Sequence, residues 1–285
     1  MVTPSFLPIG VRRRIFAALA LAALLGLPGA IPAAAATEPI PNSMSSLGDS
    51  ITRGYDACGF FIDCPQRSWS TGTYSTVNSH YLRILAKNAK ISGHNNNDAK
   101  TGAKMIDLDG QARVAVSQQV DYVTVLIGAN DACTSTEAAM TAVDTFGGQF
   151  EQAMATLSSG LPNARIFVSS IPNPYRLWQI GKDNSSARSA WANFGICQSM
   201  LANPLSTAQA DVDRRQRVQQ RVADFNTKLA AVCAEAQHPH CKFDGNAVFN
   251  YQFVLSQVST WDYFHPNTAG QAKLAEVTYN AGFAW

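Results

Sequence analysis

Beyond residue 36 the sequence has no apolar run long enough to span a bilayer, no internal repeat and no long low-complexity linker. Those absences exclude a helical membrane protein, a solenoid and a string of tethered modules. A basic excess is missing too, once the N-terminus is set aside. Arg12, Arg13 and Arg14 precede an alanine-rich apolar run over residues 15–27, and small residues follow at 33–36. That order is the signature of a secretory signal peptide, expected over residues 1–36. The Arg-Arg-x-Phe order of residues 13–16 also fits twin-arginine export. The leader takes three of the 22 Lys and Arg with it, leaving 19 against 20 Asp and Glu. The expected mature domain, residues 37–285, is therefore near neutral. It is expected to bind no nucleic acid and to make no stable membrane insertion.

Histidine is scarce, at five residues, and no second ligand pair accompanies them at metal-binding spacing. A zinc site from His238, His240 and Cys241 is the one metal reading available, against a plain disulfide loop in the same place. The disulfide loop is the stronger, and no metal or cofactor is expected. Six cysteines, Cys58, Cys64, Cys133, Cys197, Cys233 and Cys241, in an exported chain fit three disulfides. Fifteen pairings are possible. The short spacings 58–64 and 233–241 favour local loops, which would leave Cys133 with Cys197.

What is present reads as one α/β domain. Residues 122–127 are a β-branched and apolar strand ending at Gly128, and residues 165–171 are a second one stopping at Pro172. Between them, residues 141–157 carry apolar positions at helical spacing and close near Gly160. Residues 209–236 read as a long amphipathic helix, and residues 267–281 as a final helix entered at Pro266. Strands alternating with helices predict a three-layer α/β/α sandwich around a parallel sheet. In such sheets ligands bind beyond the carboxyl ends of the strands. Gly48-Asp49-Ser50 and Gly128-Ala129-Asn130-Asp131 both fall there.

A serine nucleophile needs a base within reach and a group that orients the base. His80 lies in a helical stretch, where a structural role is the ordinary reading. His94 lies in a polar loop. His265, in "WDYFHPNTAG", has Asp262 three residues before it, a spacing that can bring carboxylate to imidazole in a turn. Alone, that pair reads as a surface histidine with a capping aspartate. Asn130 could offer an amide to a developing oxyanion, and Gly102 a backbone N–H; alone, each is a turn residue.

Taken in chain order, Gly48-Asp49-Ser50, then Gly102, then Gly128-x-Asn130-Asp131, then Asp262-x-x-His265 resemble the SGNH (GDSL) hydrolase family over nearly the whole expected mature chain. The resemblance implies a flavodoxin-like sheet, Ser50 as nucleophile, His265 as base and Asp262 as triad acid. It also implies an oxyanion hole from Ser50, Gly102 and Asn130. Asp49 is then not the triad acid. Two departures are visible: Ile51 replaces the leucine of Gly-Asp-Ser-Leu, and the stretch before Gly102 is polar for a second strand. "RSWSTGT", "VNSHYLRIL", "GAKMIDLDGQA" and "VDYVTVLIGANDAC" are further similar to the phospholipase B-like branch. That implies acyl esters of phospholipids or lysophospholipids as substrate, with Trp69 either lining the site or packed in the core. The expectation is a secreted, monomeric esterase acting on a small-molecule or lipid ester. An acetyl esterase of polysaccharide or peptidoglycan is the rival within enzymes. An inactive binding protein on the same scaffold is the rival outside them.

Overall fold

The computed structural model describes residues 39–285, so the expected leader over residues 1–36 lies outside the described residues. Five parallel strands form the sheet: β1 (Met44–Gly48), β2 (Asn95–Asn97), β3 (Tyr122–Leu126), β4 (Arg165–Val168) and β5 (Cys241–Phe243), in the order β2-β1-β3-β4-β5. This is the doubly wound arrangement of flavodoxin-like proteins, whose strand order reverses between β1 and β3.

Both faces of the sheet are covered, which is why β3 reads as a continuous buried run rather than an alternating one. Val123 and Val125 point into a core with Leu47 and the helices Leu108–Gln118, Val143–Gly160 and Gln209–Cys233. Tyr122 and Leu126 point the other way, against Met44, Phe167 and the final helix, Thr268–Ala281. Trp69 is fully buried in this second core, with its indole N–H on Thr52, and so is a packing residue. His80 is equally buried, its ring nitrogens bonded to the Tyr122 and Thr278 hydroxyls, and burial holds its pKa down at about 3.

Several element boundaries move from their expected places for local reasons. The fourth strand stops at Val168, not residue 171, because the Ile171 N–H donates to the Asn226 side-chain Oδ1 and the Ser170 hydroxyl to Asp244. The long helix ends at Cys233, where a disulfide to Cys241 folds the chain back into β5. The last helix begins at Thr268, with Asn267 as its N-cap, its side chain accepting from the Ala269 and Gly270 N–H groups. The disulfides pair Cys58 with Cys64, Cys133 with Cys197 and Cys233 with Cys241. Cys241 Sγ is thus committed, which removes the zinc alternative built on it. Among the described residues no helix is long and apolar enough to cross a membrane.

Candidate active site

The strand order reverses between β1 and β3, so the helices that follow them leave on opposite faces and a crevice opens at their carboxyl ends. Gly48 ends β1 against the end of β3. A Cβ there would sit 2.2 Å from the Leu126 carbonyl oxygen, so only glycine allows the approach. The Gln111 side chain, reaching in from the helix below, takes the Gly48 N–H and donates to its carbonyl, at 2.7 and 2.9 Å. This bracket fixes the turn that carries Ser50, and nothing in the sequence had marked Gln111 for it.

Ser50 Oγ stands 2.7 Å from His265 Nε2, and His265 Nδ1 stands 2.5 Å from Asp262 Oδ2. With Nδ1–H donating to the carboxylate, Nε2 is left free to accept from the serine. The other Asp262 oxygen accepts from the backbone N–H groups of Phe264 and His265. Burial by itself raises the Asp262 pKa, but the His265 contact and these two N–H groups outweigh it and hold the carboxyl below its ordinary range. Asp262 is therefore an oriented, charged acceptor. The imidazole is further clamped between Tyr55 and Phe264, ring centroids 4.8 and 5.0 Å away.

The expected oxyanion donors lie around the same turn. The Asn130 amide donates to the Ala103 carbonyl at 2.9 Å, which ties the end of β3 to the loop holding Gly102. Gly102 is exposed, at φ +83°, with nothing within 4 Å of where a Cβ would be. No hydrogen bond joins Gly102 itself to Ser50 or to Asn130. The backbone N–H groups of Ser50 and Gly102 find no acceptor among the described residues. Asp131 completes the frame, accepting from the Met105 N–H and the Thr141 hydroxyl.

Asp56 is a residue that no motif singled out. It is buried in the left-handed region, at φ +61°, and a ligand atom of its carboxylate lies within 4.8 Å of those of Asp262 and His265. Neither of its oxygens has a well-formed hydrogen bond. Burial and then the Asp262 charge push its pKa up to about 6. Two carboxylates this close cannot both ionise cheaply. Asp56 is the one that keeps its proton to higher pH, and Asp262 the one held charged. These three groups lie close enough to hold a cation, while His265 Nδ1 and Asp262 Oδ2 are bonded to each other.

Asp49, beside the serine, is fully buried and accepts from the Ile51 N–H. Burial raises its pKa to about 7, with Asp131 adding to the effect. The folded protein thus binds this proton far more tightly than the unfolded chain, so the contribution of Asp49 to stability falls as pH rises from about 4 to 7. Asp49→Asn removes that slope. Between pH 4.5 and pH 8 the variant should gain on the wild type by about 3 kcal/mol, read from chemical unfolding at both pH values. A stability difference that stays constant with pH would refute the assignment.

An apolar cavity of about 80 Å³ lies one residue along the chain from Ser50 and His265, neither of which lines it. Ile51, Ala129 and Phe264, the chain neighbours of Ser50, Asn130 and His265, lie in its wall, with Ile171, Leu177 and Val222 further along it.

Residues 46–273 match the GDSL-like Lipase/Acylhydrolase family. No curated protein matches the chain. Among solved structures, it is similar to an extracellular lipase from Streptomyces rimosus at 17% identity, covering 84% of this chain and 99% of that one with a TM-score of 0.47. A phospholipase A1 from Streptomyces albidoflavus is similar at 15% identity, with 84% and 98% covered and a TM-score of 0.46. A family two carbohydrate esterase from Clostridium thermocellum is similar at 16% identity, with 86% and 63% covered and a TM-score of 0.48.

Proposed function

The chain belongs to the GDSL-like lipase/acylhydrolase family, and from that premise we propose that it is an exported serine hydrolase of carboxylic esters with acyl-lipid substrates. One observation carries the reading: Ser50, His265 and Asp262 form a hydrogen-bonded relay, and the chain neighbours Ile51 and Phe264 line an apolar cavity. Three disulfides favour an oxidising compartment as its place of work.

The chemistry follows from the positions of the protons. As Ser50 Oγ attacks the ester carbonyl, its proton passes to His265 Nε2, and Asp262 stabilises the imidazolium through Nδ1–H. The carbonyl oxygen becomes an oxyanion, met by the unengaged N–H groups of Ser50 and Gly102 and by the Asn130 amide. Collapse of the tetrahedral intermediate breaks the bond to the alcohol, which leaves with the proton from Nε2. Water then gives a proton to His265 and its oxygen to the acyl carbon, releasing the acid and restoring Ser50. Asn130→Ala should lower kcat by about a hundred- to a thousandfold. A rise in KM with kcat intact would remove Asn130 from the oxyanion hole.

The substrate class is tested by p-nitrophenyl esters of increasing acyl length on the purified protein. Each methylene buried in the cavity is worth up to about 0.8 kcal/mol, so kcat/KM should climb severalfold per carbon until the cavity is full. Turnover of acetate alone, with longer chains refused, would sink the acyl-lipid reading in favour of a carbohydrate acetyl esterase.

A further inference from the structure

The Cys58–Cys64 disulfide closes a loop whose tip is apolar. Phe60 is 59% exposed and Ile62 51%. Phe61 is held at φ +47° between them. Two residues from distant parts of the chain join the tip. Phe60 packs on Trp261 at 5.0 Å between ring centroids, and Phe61 on Phe194 at 5.1 Å. Trp261 and Phe194 are themselves 51% and 55% exposed. Five apolar side chains thus form one contiguous surface patch, of the kind that marks an interaction site.

The place of the patch says what it faces. Trp261 directly precedes Asp262. The Asp56 N–H donates to the Ile62 carbonyl, and the Tyr55 ring packs at a tilt against His265. The patch therefore rims the triad, and whatever settles on it presents its substrate to Ser50. Its chemistry narrows the occupant. The one acidic residue in the loop, Asp63, is paired with Arg53 and with the Thr101 hydroxyl, and no lysine or arginine belongs to the patch. A sugar platform would need coplanar ring faces, but these rings meet at 50°, 67° and 84° and make a knob. Aromatic side chains on a rigid tip, uncharged and beside an esterase site, suit the boundary between lipid headgroups and acyl chains.

We propose that this disulfide-braced aromatic knob docks the enzyme on an uncharged or zwitterionic lipid surface, from which the ester substrate is drawn. The inference rests on the ester-hydrolase reading above and adds the physical form of the substrate. Docking is driven by apolar contact, so it is insensitive to salt and gains nothing from anionic lipid.

The test uses the full exported domain and the triple variant Phe60→Ser, Ile62→Ser, Phe194→Ser, none of which touches the triad. Co-sedimentation with phosphatidylcholine vesicles, in the Ser50→Ala background so that no lipid is consumed, should fall at least tenfold in the triple variant. Added 1 M NaCl should leave wild-type binding unchanged. With Ser50 intact, the variant should lose tenfold or more of its turnover on dispersed lipid ester. Its rate on monomeric p-nitrophenyl butyrate should stay within twofold of wild type. Equal vesicle binding by both proteins would overturn the proposal. So would binding that needs anionic lipid, or a wild-type dimer that the variant dissolves. Failure of the underlying esterase reading looks different, because the wild type would then fail to turn over p-nitrophenyl butyrate at all.

Discussion

Ser50→Ala is expected to cut ester turnover by about 10⁶-fold, to the residue left by binding and the oxyanion donors alone. The reason is that the side chain 2.7 Å from His265 Nε2 supplies the bond that forms to the acyl carbon. Alanine leaves the Gln111 bracket on Gly48 untouched, so the melting temperature should not move. Steady-state hydrolysis of a p-nitrophenyl ester, with circular dichroism on the same sample, checks both halves. Turnover within tenfold of wild type would remove Ser50 as the nucleophile. A parallel loss of fold would leave activity uninformative, and labelling of wild-type Ser50 by a fluorophosphonate would then decide, since no labelling refutes the role.

Asp262→Asn should lower kcat by about 10⁴-fold, and the geometry says why. One oxygen of Asp262 accepts from two backbone N–H groups and the other from His265 Nδ1. An asparagine keeps its oxygen toward the two backbone donors, so its NH₂ faces Nδ1. The imidazole must then accept at Nδ1 and carry its proton on Nε2, where it can no longer take one from Ser50. The same substitution takes away the charge that helps raise Asp56, whose carboxyl should titrate lower than in the wild type. A kcat/KM profile against pH, from pH 5 to 9, reads the effect. A loss of less than tenfold would mean that another acceptor orients His265.

The motifs bearing on Ser50, Asn130, Asp262 and His265 were legible because each follows a strand or enters a helix with the turn residues that those junctions demand. The middle of the sheet was legible too, since β3 is buried on both faces and its β-branched run has no other use. Its edges were not. β2 is Asn95–Asn97, and its side chains bond to Thr71 and Thr52 rather than pack. β5 is Cys241–Phe243, three residues at the far edge, held by the Cys233 disulfide and by pairing to β4. Neither carries an alternation that could be read. Asp56 was illegible for a different reason. Its meaning comes from a carboxylate far away in sequence, and from the burial that folding alone creates. Of the cysteines, the short spacings pointed to two local loops and left the third pair by remainder, which is the pairing found.

That third pair acts on a part of the molecule that no contact distance describes. Cys133 caps the short turn carrying Asn130, and Cys197 lies 64 residues on, beyond three α-helices and β4. Joining them shortens the tether that the unfolded chain can explore, removing conformational freedom worth roughly 4 kcal/mol for a loop of that length. The bond thus works against the denatured ensemble rather than within the crevice. A helix of the enclosed segment that opens stays tied at both ends, so its path back to the turn carrying Asn130 is confined to a ring.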